Sequence, residues 1–162
     1  MLNILILCTG NSCRSVLGEA LINHKGNGRV RAFSAGSHPT GKVNPNALAT
    51  LARNGLATTG FSSQSWDEFD NADIDIAITV CDQAAGETCP VYLNSIVRAH
   101  WGLPDPAHVT GTEDEINRAF QATYDALQER VNLMLALPLE TLSQTALTEQ
   151  LNRIGNEALT RG

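Results

Sequence analysis

Apolar residues along this chain come in short continuous runs separated by stretches of helical periodicity. Residues 2–7 (LNILIL) form one such run, residues 30–35 a second and residues 74–80 a third, the last with Ile74, Ile76, Ile78 and Val80. Runs of this length without polar alternation read as strands buried on both faces. Helical patterns lie between them: residues 15–24, residues 45–54 with Pro45 suited to a first turn, and a short piece after Ser65 that contains Trp66 and Phe69. Strand alternating with helix predicts an α/β fold with a parallel sheet.

Residues 98–101 read as a short fourth strand, and the Gly-Leu-Pro-Asp-Pro sequence that follows breaks regular structure and forms a loop. Thr112 with Glu115 matches a capping box. Ile116, Ala119, Phe120, Thr123, Leu127, Val131 and Met134 then share one face of a long helix that Pro138 ends. In residues 143–156, Leu147, Leu151 and Ile154 keep helical spacing and predict a terminal helix. The expected organisation is a catalytic domain over residues 1–137 and a C-terminal helical extension, residues 138–162, packed on that same domain.

Composition narrows the functional class. Seventeen acidic against eleven basic residues give a net charge of −6, unlike a surface built to gather nucleic acid or anionic lipid, so an anion must be held by a local site. No stretch approaches the ~20 apolar residues of a membrane span, and the N-terminal run reads as a strand instead of a signal peptide, so the expected location is cytoplasmic. In a reducing compartment the four cysteines are expected to be free thiols.

The candidate chemistry sits in CTGNSCRS. Cys8 ends an apolar strand and Arg14 opens a helix. The backbone amides of Thr9, Gly10, Asn11, Ser12, Cys13 and Arg14 can then point inward and, with the helix dipole, form a nest for a tetrahedral anion, Gly10 supplying freedom to turn. Arg14 adds a planar fork for two oxygens. In such a nest Cys8 should titrate below the ~8.5 of a free thiol and act as a nucleophile. Asn11 is expected to brace the loop, and Ser15 to donate a hydrogen bond to the Cys8 sulfur. Cys8 and Cys13 beside an arginine do not resemble a zinc pair, so no metal is expected. His24, His38, His100 and His108 have no evident catalytic partner, and Trp66 and Trp101 read as packing residues. Asp105, between two prolines, reads equally well as a turn former or as an acid.

These motifs resemble the low-molecular-weight protein tyrosine phosphatase family, with cysteine and arginine separated by five residues near the N-terminus and serine after the arginine. The resemblance continues through FSAGS at residues 33–37, ITVC at residues 78–81 and HWGLPDP at residues 100–106. It implies a flavodoxin-like sheet of four parallel strands in order 2-1-3-4 with helices on both faces and the site at the strands' carboxyl ends. It also implies roles: Cys8 as nucleophile, Arg14 as oxyanion clamp and Asp105 as the acid that protonates a leaving oxygen.

Within the family the chain is more similar to the arsenate reductases. It has CTGNSCRS at the loop and the cysteine-bearing CDQAAGETCPV at residues 81–91, while Ala107 and His108 stand where phosphatases carry aromatic residues. The activity implied is thiol-dependent reduction of arsenate to arsenite, with phosphate monoester hydrolysis as the alternative or residual activity. No bound cofactor is implied. The electrons would come through an external thiol reductant, thioredoxin or glutaredoxin with glutathione. If strands one and three are neighbours, Cys81 lies within disulfide range of Cys8 and is the expected resolving thiol. Cys89, on a loop that Gly86 can loosen, is the expected second redox cysteine, and Cys13 a structural member of the nest. Cys13, Cys89 or an external thiol remain alternative resolvers. Two positions depart from these relatives: seven residues instead of six separate Cys81 from Cys89, and Ser65 aligns with an acidic ligand of a potassium site whose other contacts match Asn11, Glu19 and Ser34.

Overall fold

The structure is a computed structural model that describes residues 1–69, 72–81 and 96–161, with side chains through Asn156. The described strands are β1 (Leu2–Cys8), β2 (Val30–Gly36), β3 (Ile76–Thr79) and β4 (Val97–His100). The α-helices are α1 (Arg14–Lys25), α2 (Pro45–Arg53), α3 (Glu113–Leu135) and α4 (Gln144–Arg161). The strands form one parallel sheet in the order β2-β1-β3-β4, as expected. Its register sets Cys8 against Gly36 and Leu7 against Thr79, so the carboxyl ends of the two central strands and β2 finish at one level.

Side chains alternate between the sheet's two faces. Ile4, Ile6, Ile76 and Ile78 face a core shared with Leu17 and Leu21 of α1, Phe120 and Leu127 of α3, and Leu147 and Leu151 of α4. Leu5, Leu7, Ala35 and Ala77 face a second cluster covered by Trp66 and Phe69, which lie on a short 3-10 helix, Trp66–Phe69. Being buried on both faces, the strands need continuous apolar runs.

The third strand is shorter than its apolar run. Ile74 joins the second cluster, whereas Ile76, Ile78 and Val80 join the first. A strand with period two would keep Ile74 and Ile76 on one face, so regular pairing begins only after Asp75, whose N–H already reaches the Asn3 carbonyl at 2.9 Å. The long helix starts as read: Thr112 accepts from the Glu115 N–H at 3.2 Å while Glu115 reaches back, a cap of about 1 kcal/mol. After α3, the Arg29 guanidinium gathers the turn, donating to the Leu135 and Leu137 carbonyls at 2.7 and 3.0 Å and pairing with Glu140. Among the described residues, no helix is long and apolar enough to cross a membrane.

Candidate active site

The loop from Cys8 to Arg14 is shaped by its carbonyls. The Thr9 carbonyl accepts from the His38 N–H at 2.9 Å, Gly10 from Thr40 at 3.0 Å, and Ser12 from Asn44 at 2.8 Å. Ser63 Oγ donates a further bond to the Gly10 carbonyl at 3.0 Å. In a trans peptide the carbonyl and the following N–H point in opposite directions, so carbonyls anchored outward turn the amides of Gly10, Asn11 and Cys13 inward. Three anchors in the segment after β2 therefore build the nest that the strand-to-helix turn predicts.

The left-handed residue of the loop is Asn11, at φ 48°, and not Gly10. Asn11 tolerates that backbone because it is fully buried and its amide is fully used: Nδ2 donates to Ser15 Oγ at 2.9 Å, and Oδ1 accepts from the Gln64 N–H at 2.8 Å. The bracing role expected of Asn11 is thus observed, and Ser15 serves it as the acceptor. Gly10 is needed for space, since a Cβ there would lie 3.3 Å from the Thr40 methyl. Gly36 is needed more: its Cβ would stand 2.5 Å from the Thr9 carbonyl oxygen and 2.9 Å from that of Cys8.

Cys8 lies at the floor of a cleft of about 480 Å³, 4% exposed, with Cys81 beside it at 3%. The two thiols are hydrogen-bonded to each other, and Thr9 Oγ1 lies 3.5 Å from the Cys81 sulfur. This pair corrects the expected acidity of Cys8. The hydrogen bond with Cys81, then burial, pushes the Cys8 thiol well above the usual thiol range, against the lowering pull of Arg14.

Arg14 spans the cleft wall. Nη1 donates to the Leu103 carbonyl at 2.8 Å and Nη2 lies 3.5 Å from Asp105 Oδ2, while Nε is buried without an acceptor among the described residues. Asp105 has two duties at once. It caps the short 3-10 helix Pro106–His108, Oδ1 accepting from the Ala107 N–H at 3.0 Å, and the same oxygen accepts from the Cys13 thiol at 3.4 Å. The turn-former reading and the site reading of Asp105 therefore describe one side chain. Burial, then the nearby Asp105 charge and its hydrogen bond, push the Cys13 thiol up to about 11, so Cys13 stays a protonated donor at neutral pH.

A cysteine and an arginine flanking an inward amide nest, faced by an aspartate from the loop after β4, can be compared with known proteins. The profile described as low molecular weight phosphotyrosine protein phosphatase matches residues 3–150. The chain belongs to this family. It is 36% identical over 128 residues to an arsenate reductase of Bacillus licheniformis, covering 79% of this chain and 91% of that protein. It is 34% identical over 128 residues to an arsenate reductase of Bacillus subtilis, with the same coverage. A solved structure described as an arsenate reductase in the phosphate binding state superposes with a TM-score of 0.71 at 26% identity, covering 84% of this chain and 98% of that one.

Against the low molecular weight phosphatase pattern, Thr9, Gly10, Ser12, Cys13, Arg14, Cys81 and Asp105 all line the cleft with Cys8. Asn11 and Ser15 stand behind it as buried support. Cys89 lies outside the described residues. Thr40, Leu103, Pro104 and His108 line the cleft as well, none of them assigned to the site from the sequence. His108 Nε2 is 3.4 Å from Asp105 Oδ2, although the sequence offered no partner for it. The i,i+3 spacing across a Pro-initiated turn was the available signal. His100, by contrast, bonds Thr79 Oγ1 through Nδ1 at 2.7 Å.

The positions aligned with the family's potassium contacts are engaged in protein hydrogen bonds instead. Ser34 Oγ donates to Glu19 Oε1 at 2.6 Å, the Ser34 carbonyl accepts from Gln64 Nε2 at 3.0 Å, and Ser65 Oγ accepts from the Asp67 N–H at 3.2 Å. Asn11 Oδ1 is likewise taken. Glu19 is the single carboxylate of the four, and burial pushes its carboxyl up, against the Ser34 hydrogen bond that lowers it. One carboxylate among oxygens already engaged in hydrogen bonds does not fit a cation site. Among the described residues, no group of three or more His, Cys, Asp or Glu side chains is placed to hold a metal.

Proposed function

We propose that this chain reduces arsenate to arsenite using its own thiols, with Cys8 as nucleophile and Cys81 as resolving thiol. The observation that carries this reading is the buried Cys8–Cys81 thiol pair. Hydrolysis of a phosphoenzyme needs water at that point and has no use for a second thiol in contact with the first.

Arsenate binds as a dianion on the inward amides and Arg14, whose unpartnered Nε calls for an acceptor. The pair's raised affinity for its proton sets the first step: the Cys8 proton passes to a bound arsenate oxygen, leaving the thiolate. The sulfur then attacks arsenic. Asp105 relays that same proton from the arsenate oxygen to the departing hydroxyl, which leaves as water, and a Cys8–S–As(V) adduct remains. Cys81 passes its proton to an oxygen of the adduct and attacks the Cys8 sulfur as the thiolate. The new S–S bond forms, the S–As bond breaks with its electron pair retained on arsenic, and arsenite leaves. Two thiolates thus supply both electrons. Cys89 takes over the disulfide from Cys8, and thioredoxin or glutaredoxin with glutathione reduces the result in the cytoplasm, where such donors are kept reduced. The same Cys8, Arg14 and Asp105 suffice to hydrolyse phosphate monoesters, and that activity is expected to persist weakly, since Ala107 and His108 offer no aryl ring to stack a phenol.

Peptide mapping after a single turnover tests the reading. One equivalent of arsenite should accompany a disulfide joining Cys8 or Cys89 to Cys81. A Cys8–Cys13 bond would reassign the resolving thiol, arsenite release with no internal disulfide would point to an external one, and phosphate hydrolysis without any arsenite would leave a phosphatase.

A further inference from the structure

The loop that carries Asp105 leaves the sheet at its edge, and the last helix is built against that point of departure. The β4 edge strand would otherwise present a bare His100 N–H, but Asn152 of α4 accepts from it through Oδ1 at 3.0 Å. The next residue, Trp101, is 1% exposed, and its indole N–H donates to the Leu151 carbonyl at 2.9 Å. Gly155 lies so near that a Cβ would stand 2.4 Å from the His100 carbonyl oxygen and 2.9 Å from Trp101 Cδ1. Three residues on two successive turns of the helix therefore converge on two residues. Two residues further on, Leu103 N–H reaches the Val80 carbonyl at 3.1 Å and its own carbonyl accepts from Arg14, and Asp105 follows.

We propose that α4 is a positioning element for Asp105, with Trp101 and Asn152 as positioning residues that fix where the acid loop starts. The loop from Trp101 to Asp105 is stiffened by Pro104 and by Pro106 just after it, is tied to Val80 and Arg14 through Leu103, and is rooted at Trp101, whose backbone N–H donates to the Thr79 carbonyl at 2.7 Å. The helix fixes the side chain and outer edge of that root. A displacement of about 1 Å at a proton donor costs up to roughly a hundredfold in rate, so an anchor outside the cleft can govern the chemical step without touching substrate. This inference rests on the reading of Asp105 as the proton donor.

A double-mutant cycle on single-turnover arsenite release tests it, using Trp101→Phe, which keeps the packing ring and deletes the N–H, in the wild-type and Asp105→Asn backgrounds. The expected result is a roughly tenfold fall in the saturating rate with half-saturating arsenate unchanged, and less than a twofold effect once Asp105 is asparagine. Asn152→Ala should act in the same direction, and Asn152→Asp, which retains the acceptor for His100, should restore the rate. An equal fall in both backgrounds, no fall in either, or an Asn152→Asp variant as slow as Asn152→Ala would overturn the proposal. If Asp105→Asn alone leaves the rate unchanged, the proton-donor reading fails first and takes this inference with it.

Discussion

The two loops that meet at the cleft are built in opposite ways. The Cys8–Arg14 loop is short in sequence, partly buried, and carries its own chemistry: nucleophile, amide nest and guanidinium occur within seven residues, and the segment after β2 holds their carbonyls outward. The Trp101–His108 loop carries one reacting group and borrows its placement. Asp105 is held by Cys13, Arg14 and His108, and the loop's root by α4, residues 3 to 92 positions away in sequence. A local motif can specify a chemical environment, whereas the direction from which a second group approaches it is a property of packing.

Both loops stand on a glycine that lets two backbones touch, Gly36 beneath the first and Gly155 beneath the second. The contrast is thus one of chemistry and range, and it can be pressed from either side. Cys8→Ser should abolish both arsenate reduction and phosphate monoester hydrolysis, because a hydroxyl in the same nest stays protonated and is a poor nucleophile. Measurable turnover of either substrate by the serine variant would contradict the mechanism.

Asp105→Asn should slow the chemical step by roughly 10²–10⁴ while leaving phosphate binding nearly intact, as read by single-turnover rates against phosphate inhibition. A loss confined to thermal stability would leave Asp105 with only its turn-capping bond to Ala107. Gly36→Ala comes next. Its methyl would press on the Thr9 and Cys8 carbonyls, and an overpacked contact of this kind costs about 1–3 kcal/mol, measurable by denaturant unfolding. Because the strained atoms belong to the nest, weaker phosphate binding should accompany the lost stability.

The smallest effect is expected at Glu19, which supports the first loop through Ser34. Its folded carboxyl is pushed up by burial, so its contribution to stability is complete below the ordinary carboxyl range and is lost as the pH rises through the raised folded value. Glu19→Gln keeps an acceptor for the Ser34 hydroxyl and removes that loss. The variant should melt higher than wild type at neutral pH, the difference closing as the pH falls below the carboxyl range, with arsenate turnover unchanged. A lower melting temperature at neutral pH would mean that the ionised carboxylate is doing structural work in the Asn11–Ser34–Gln64 network.

The apolar runs of the two central strands pointed by themselves to a sheet covered on both faces and hence parallel, and the Thr112–Glu115 box marked the start of the long helix. The strand-to-helix turn at Cys8 likewise determined an anion nest, since its groups lie within one turn of one another and need little beyond local geometry. What packing alone decided are the terms that depend on distance between remote groups. The local motif predicted a low thiol affinity for protons at Cys8, and Cys81, brought alongside by the β1–β3 register, reversed it. The same holds for the split of Ile74 from Ile76 between two cores, for His108 beside Asp105, and for an indole N–H satisfied fifty residues away on α4. Proton affinity and orientation change over an ångström or two, and separations that fine between distant segments are fixed only when the whole core has closed.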